Sequence, residues 1–165
     1  MSAVIRRATP DDVDAIVDLI YQLAEYEKLR DQCTTTPEKL SATLFAANPA
    51  VFAFVVELDG AVVGIAVWFL SYSTWDGVHG IYLDDLFVVP EHRGAGYGKA
   101  LLATLAQECV DNGYTRLAWS VLDWNAPSIA FYDSLGARPQ TEWIGYRLAD
   151  DALAQLAAQA GSFGG

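Results

Sequence analysis

Between Asp84 and Lys99 an apolar stretch runs into Pro90-Glu91-His92-Arg93-Gly94-Ala95-Gly96-Tyr97-Gly98-Lys99, and a helical pattern follows. Three glycines at alternate positions, Gly94, Gly96 and Gly98, let a backbone approach an anion closely and offer it successive N–H groups. The helix behind them adds the positive end of its dipole, and Arg93 and Lys99 add fixed charge. This is the chemistry of a phosphate cradle. Two nucleotide motifs do not fit it. A dinucleotide turn needs G-x-G-x-x-G, and here the third glycine comes one residue early. A P-loop needs G-x-x-x-x-G-K-[ST], but Ala100 follows Lys99 and Arg93 stands where the first glycine belongs.

A second group of residues carries proton and cation chemistry. Asp84 and Asp85 adjoin just ahead of the turn, and strand alternation sends such neighbours to opposite faces unless a bulge intervenes. Either carboxylate can accept a proton through water, contact a cation or cap a backbone. Tyr26-Glu27 closes an amphipathic helix and is either a substrate contact or a solvated helix end. Trp75 lies in a loop, where it either floors an amine site by cation–π contact or plugs a packing gap. His92 reads as an exposed loop residue, and His79 as a satisfied or solvated imidazole.

These residues need a scaffold, and the pattern supplies one. Val4–Arg7 predicts a short strand. Thr9-Pro10-Asp11-Asp12 then opens a helix that buries Val13, Ile16, Val17, Ile20, Leu23 and Ala24. Thr36-Pro37-Glu38 starts a second helix, to about Phe45. Val51–Glu57, the Asp59-Gly60 turn and Ala61–Leu70 read as a hairpin. A loop over Ser71–Gly80 leads to a strand over Ile81–Val89. Lys99–Asp111 is a helix with Leu101, Leu102, Leu105 and Cys109 inward, stopped by Asn112-Gly113. Thr115–Val121 predicts a strand, Asn125–Leu135 a short helix, Glu142–Leu148 a last strand and Asp150–Ala160 a terminal helix. Hairpins followed by alternating helices and strands imply an α/β or α+β class, a mixed sheet covered by helices.

Composition bounds the function. A chain of 165 residues, 53% apolar and 12% aromatic, is long enough for one self-sufficient core and excludes a disordered protein. The balance of 21 acidic against 10 basic side chains, a formal charge of −11, opposes nucleic acid and anionic membranes and favours cationic partners. A polyanion is expected only at a local cradle. Cys33 and Cys109 are too few for a disulfide scaffold, and no paired cysteine motif suggests a metal. Met1–Arg7 lacks a secretory apolar segment, and the stretch near Val62–Leu70 is too short to span a bilayer, so a reducing cytoplasm is expected. The tail Gly161-Ser162-Phe163-Gly164-Gly165 is expected to fray.

Arg93-x-x-Gly96-x-Gly98 resembles the pyrophosphate loop of the GNAT N-acetyltransferases, (Arg/Gln)-x-x-Gly-x-(Gly/Ala). The lead-in Tyr82-Leu83-Asp84-Asp85-Leu86-Phe87-Val88-Val89-Pro90 is similar to the family's strand before that loop. Val121-Leu122-Asp123-Trp124-Asn125-Ala126-Pro127-Ser128-Ile129-Ala130-Phe131-Tyr132 and Leu135-Gly136-Ala137 resemble its second cofactor segment. With Leu23-Ala24-Glu25-Tyr26-Glu27 and Trp75, the chain from about Val4 to Leu148 resembles the diamine (spermidine/spermine-type) and thialysine acetyltransferase branch.

The resemblance implies one GNAT-like domain over residues 1–165, its core at about 4–148 and a terminal helix and tail at 150–165, around a mostly antiparallel sheet. It implies acetyl-CoA as co-substrate and a small cationic amine as acceptor: a diamine, a polyamine, or a thialysine- or lysine-like amino acid. The backbone of Leu86, Phe87 and Val88 would hold pantetheine and polarise the thioester. Arg93, Gly94, Ala95, Gly96, Tyr97, Gly98 and Lys99 would hold pyrophosphate, and Asn125 and Ser128 the pantetheine arm. Tyr132 would protonate the departing thiolate. An alkylamine near pKa 10 is protonated at neutral pH, so a base is needed. The diamine enzymes carry Glu at Asp84's position, which makes Asp84 the expected base through water and Asp85 a substrate contact or cap. Tyr26, Glu27, Trp75 and Asp76 would line the acceptor side. A homodimer exchanging Glu142–Leu148 is implied as well, with Tyr146 in the seam. One departure stands out: Ile144 replaces the acid that precedes Gly-aromatic-Arg in the diamine enzymes, and Glu142 is only a partial substitute. Protein or peptide N-acetylation and a non-catalytic acetyl-CoA sensor remain alternative readings.

Overall fold

The computed structural model describes residues 2–161, so the end of the glycine-rich tail lies outside the described residues. Contacts divide the chain into two units, one ending at Leu122 and the other beginning at Asp123. The first holds a five-stranded sheet: β1 (Ala3–Arg7), β2 (Val51–Leu58), β3 (Ala61–Ser73), β4 (Val78–Val88) and β5 (Leu117–Ala118), side by side in that order. Neighbours are antiparallel except β4 and β5, which run parallel. The expected mixed, mostly antiparallel sheet is present.

Strand alternation feeds two layers. Ala53 and Val55 of β2, Ile65 and Val67 of β3 and Phe87 of β4 pack under α1 (Val13–Tyr26) and α2 (Pro37–Leu44), against Val13, Ile16, Val17, Leu19, Leu40 and Leu44. The residues between them point to the other face. There α3 (Tyr97–Asn112) contacts β2, β3 and β4 and buries Leu101, Leu102, Leu105 and Cys109, as its apolar spacing predicts. The chain enters α1 through a short 3-10 turn at Pro10–Asp12. Asp12 is buried and accepts hydrogen bonds from the Arg6 guanidinium at 2.7 and 3.0 Å and from the Thr9 N–H at 2.7 Å. Arg6 holds its carboxyl below the usual carboxylate range. Arg6 also donates to Glu57 at 3.1 Å, so β1, β2 and the entry to α1 share one guanidinium.

Three sequence expectations change. The loop expected over Ser71–Gly80 is mostly hairpin: β3 reaches Ser73, β4 starts at Val78, and Tyr72 pairs with His79. The Asp76-Gly77 turn, with Gly77 at φ 71°, is the hairpin signal that marks it. β5 is two residues long rather than Thr115–Val121, because its pairing with β4 stops at Tyr82↔Ala118. The Glu142–Leu148 strand is absent from the second unit; that unit holds α4 (Ala126–Ser134) and α5 (Asp150–Ala157). A strand exists only where another backbone takes its hydrogen bonds, and alternation alone does not supply one. Ile144 and Tyr146 are 78% and 95% exposed there.

The β4–β5 contact is tightly built. Ile81 N–H donates to Arg116 O at 3.0 Å. A side chain at Gly80 would meet Arg116 Cγ at 2.7 Å and Arg116 O at 2.9 Å. Overpacking against backbone commonly costs about 1–3 kcal/mol. Gly80→Ala is therefore expected to lower the melting temperature by several degrees, at about 2–4 °C per kcal/mol for a chain of this size. An unchanged melting curve would contradict this account of the β4–β5 seam.

Candidate active site

A bulge in β4 sets the geometry. Val67 pairs with Asp85 and Trp68 with Leu83, leaving Asp84 as the extra residue. Beyond Tyr82 no strand of the first unit pairs with the outer edge of β4. Leu86, Phe87 and Val88 thus keep their β3 ladder on one side and meet no strand on the other, where Arg93 Nε donates to the Val88 carbonyl. Such an edge offers alternating N–H and C=O groups to an extended ligand arm.

The glycine turn follows directly. Gly94 and Gly96 take φ of 86° and 87°, which L side chains rarely adopt, and Gly96 is the N-cap of α3. No side chain caps this helix and its first turn carries no acid. Ala100 N–H is bonded back to Gly96 O at 2.9 Å, whereas the N–H groups of Tyr97, Gly98 and Lys99 precede the intrahelical ladder. A Cβ at Gly94, Gly96 or Gly98 would meet nothing within 4 Å. Crowding within the chain therefore does not demand Gly98. Open space ahead of uncapped N–H groups, between Arg93 and Lys99, fits a pyrophosphate.

The acids form a cluster. Asp84 is exposed on the bulge, while Asp85 is half-buried on the face shared with Phe87 and α1. Burial, and then the charges of Asp84 and Glu27, push the Asp85 carboxyl up to about 7. Burial and the Asp84 charge also raise Glu27, which is half-buried just after α1. Carboxylates held together in this way favour an approaching ammonium. Arg93 sits on the same side. Its Nε donates to Val88 O at 3.0 Å, and its guanidinium lies 5.5 Å from the Tyr26 ring centre and 5.2 Å from that of Phe87.

Two expected acceptor residues stand apart. Trp75 is 89% exposed at the β3–β4 turn. From Val78 to Asp84 the strand climbs about 20 Å at roughly 3.3 Å per residue, so Trp75 does not join the acid cluster of its own chain. Asp76 is engaged elsewhere: it accepts from Thr115 Oγ1 at 2.7 Å and from the Arg116 guanidinium at 3.2 Å, which together lower its carboxyl. Its charge ties the hairpin tip to the segment before β5. His79 is a satisfied imidazole, with Nδ1 3.0 Å from Ser71 O and its ring edge-on to Tyr72 and Tyr114.

In the second unit, Asn125 is buried and caps α4, its side-chain oxygen accepting from Ser128 N–H at 3.4 Å. Tyr132 lies near the end of α4, its ring 5.5 Å from that of Phe131. Sequence reasoning missed the Arg93 stack, because Tyr26, Phe87 and Arg93 meet only through the fold and no local spacing announces the contact.

The bulge, the open edge and the glycine turn define an acyltransferase-type site, and the sequence model of the Acetyltransferase (GNAT) family matches residues 18–137. The chain belongs to that family and is an N-acetyltransferase. Thialysine N-epsilon-acetyltransferase of Sus scrofa is 37% identical over 169 residues, covering 96% of this chain and 99% of that protein. L-ornithine N5-acetyltransferase of Arabidopsis thaliana is 31% identical, over 90% of this chain and 85% of that protein. Among solved structures, an integron cassette protein from the mobile metagenome of V. cholerae superposes with a TM-score of 0.80 at 26% identity, covering 95% of this chain and 98% of that one.

The Asp85 environment makes stability depend on pH. The folded chain holds this proton up to about pH 7, whereas an unfolded Asp releases it near 4. Folding therefore loses free energy as pH rises through that window, up to about 4 kcal/mol. Asp85→Asn carries no charge, so its stability relative to the parent should improve between pH 5 and pH 8 in urea titrations. A difference that stays constant across this range would refute the burial of a reluctant carboxylate.

Proposed function

We propose that this enzyme moves an acetyl group from acetyl-CoA to the terminal amine of a small cationic acceptor, with lysine- or ornithine-like amino acids and short diamines ahead of long polyamines. The observation that carries the reading is the Glu27–Asp84–Asp85 cluster placed at a strand bulge, next to an open strand edge and an anion cradle. The similarity to thialysine and ornithine acetyltransferases supports an amino acid bearing a side-chain amine. Ile144, where the diamine enzymes carry an acid, removes one anchor for a distal ammonium.

Acetyl-CoA supplies the acetyl group as a thioester. On this reading the N–H groups around Gly94–Lys99 bind its pyrophosphate, and the open β4 edge at Leu86–Val88 orients its arm and polarises the carbonyl. Asn125 and Ser128 line that arm. Asp84, exposed at the bulge, takes the amine proton through water. Asp85 and Glu27 hold the ammonium form before that proton leaves. Tyr132 donates to the departing sulfur; a thiol near pKa 8.5 leaves tolerably on its own, so this help is useful rather than decisive.

The family match runs across the boundary at Leu122, which supports one acetyltransferase domain. The two unpaired cysteines suit the cytoplasm. The Glu142–Leu148 segment, with Trp143, Ile144 and Tyr146 exposed, suits a homodimer in which it would pair with the sheet of a second copy.

Turnover of acetyl-CoA against thialysine, lysine, ornithine, diamines, spermine, neutral amines and peptides tests the reading. The cationic amino acids should lead. Acetyl-CoA binding without turnover of any amine would mark a sensor, and a peptide or neutral acceptor at the head of the panel would overturn the substrate class. Asp84→Asn should lower kcat by about 10²–10⁴-fold, with acetyl-CoA affinity little changed. Rising pH ionises Asp85, so the KM of an ammonium acceptor should fall through about pH 7 in the parent and stay flat there in Asp85→Asn. A parent KM that is flat through that range would remove Asp85 from substrate binding.

A further inference from the structure

The last turn of α1 carries the acceptor-side residues Tyr26 and Glu27 and meets the core through half-buried side chains, Leu23 among them, rather than through a fully buried one. Its buried residues, Val13, Ile16, Val17 and Leu19, all lie in the first half of the helix. Leu23 and Ala24 are half-buried, and Glu25 and Tyr26 are exposed. Immediately beyond, Lys28 takes a left-handed φ of 62° and the chain turns away, closed by Lys28 N–H on Glu25 O and Leu29 N–H on Ala24 O. Backbone bonds finish the helix, but they do not fix it against β4.

Arg93 reaches this turn from the glycine loop. Its Nε is anchored on the carbonyl of Val88, the last residue of β4. Its guanidinium then lies over two rings at once, Phe87 in the sheet and Tyr26 on the helix. Phe87 is buried in the core under α1, so one face of the stack is immobile. The other face is the helix end that presents Glu27 to the cluster.

We propose that Arg93 is a positioning residue for the acceptor amine, fixing Tyr26, and through it Glu27, against β4. The inference rests on the amine-acetylating reading and deepens it. Arg93 also opens the phosphate-binding turn, so one side chain registers the acceptor helix against the co-substrate loop. Planarity is essential to this role, because a guanidinium lies flat between two rings and an ammonium does not.

Arg93→Lys separates positioning from charge, since it keeps the cation beside the phosphate turn. It should raise the acceptor KM about fivefold, a larger factor than its effect on the acetyl-CoA Kd measured by calorimetry. Tyr26→Leu should raise the acceptor KM similarly, and the Arg93→Lys/Tyr26→Leu pair should be no worse than either single variant. Amide hydrogen exchange over residues 24–29 should quicken in Arg93→Lys whatever the acceptor. No turnover of any amine by the parent would defeat the functional reading, and the exchange measurement would then decide the Arg93 contact alone. An unchanged acceptor KM in Arg93→Lys, effects that multiply in the pair, or unaltered exchange would each overturn the proposal.

Discussion

A strand paired along both edges has no backbone group left for a ligand, and β4 escapes that condition at Asp84. The extra residue lies opposite the Val67–Trp68 step of β3 and two positions past the last pair with β5. Without the shift, Leu83 opposite Trp68 would put Asp84 opposite Val67 and Asp85 opposite Ala66, and Asp85 and the residues beyond it would exchange faces. With it Phe87 enters the core beneath α1, and Asp85 lies on the same face, two residues from it. The bulge coincides with the loss of the β5 ladder, so the strand edge opens where the carboxylates are gathered. On the proposed reading, acceptor chemistry and thioester binding both depend on this one irregularity.

Electrostatics divides this region in two. An acidic chain of formal charge −11 repels a polyphosphate at long range, and screening limits that field to about 10 Å at 0.1 M salt. Inside that distance the fixed dipoles of the glycine turn and α3, with Arg93 and Lys99, act without competition from acids in the helix's first turn. The carboxylates lie on the other side, where the global field helps a cationic acceptor. Arg93 belongs to both regions, with its backbone in the turn and its guanidinium against the acceptor helix.

What the sequence disclosed was local. The glycine turn was legible because its spacing states its own geometry, and the inward faces of α1 and α3 because apolar residues recur at helical period. The bulge was legible only as an alternative: adjacent acids imply either opposite faces or an extra residue, and the β3 register alone decides between them. Asp76 looked like an acceptor acid because composition does not reveal that Thr115 and Arg116 claim it. Trp75 belonged to the right motif, yet strand length carries it about 20 Å from the cluster. Glu142–Leu148 alternates as a strand should, but its hydrogen-bond partners were never encoded within the segment. In each case local pattern gave the type of residue, and pairing between distant elements gave its job.

The acid cluster is better understood as a cost that the fold retains than as a source of stability. Burying Asp85 beside the like charges of Asp84 and Glu27 opposes folding at neutral pH. A structural role would be better served by Asn, which carries no charge to desolvate. Strain of this kind persists where function requires it. On the proposed reading an entering ammonium relieves the repulsion, so part of the free energy withheld from folding would return as acceptor binding. The same arrangement discriminates against neutral amines, which would leave the carboxylates unpaired. Asp at position 84 rather than Glu leaves a gap of one methylene. In the proposed reaction, Asp85 and Glu27 hold the ammonium until a water in that gap carries its proton to Asp84. Selectivity and proton removal would then fall to neighbouring residues that the bulge has set to different depths.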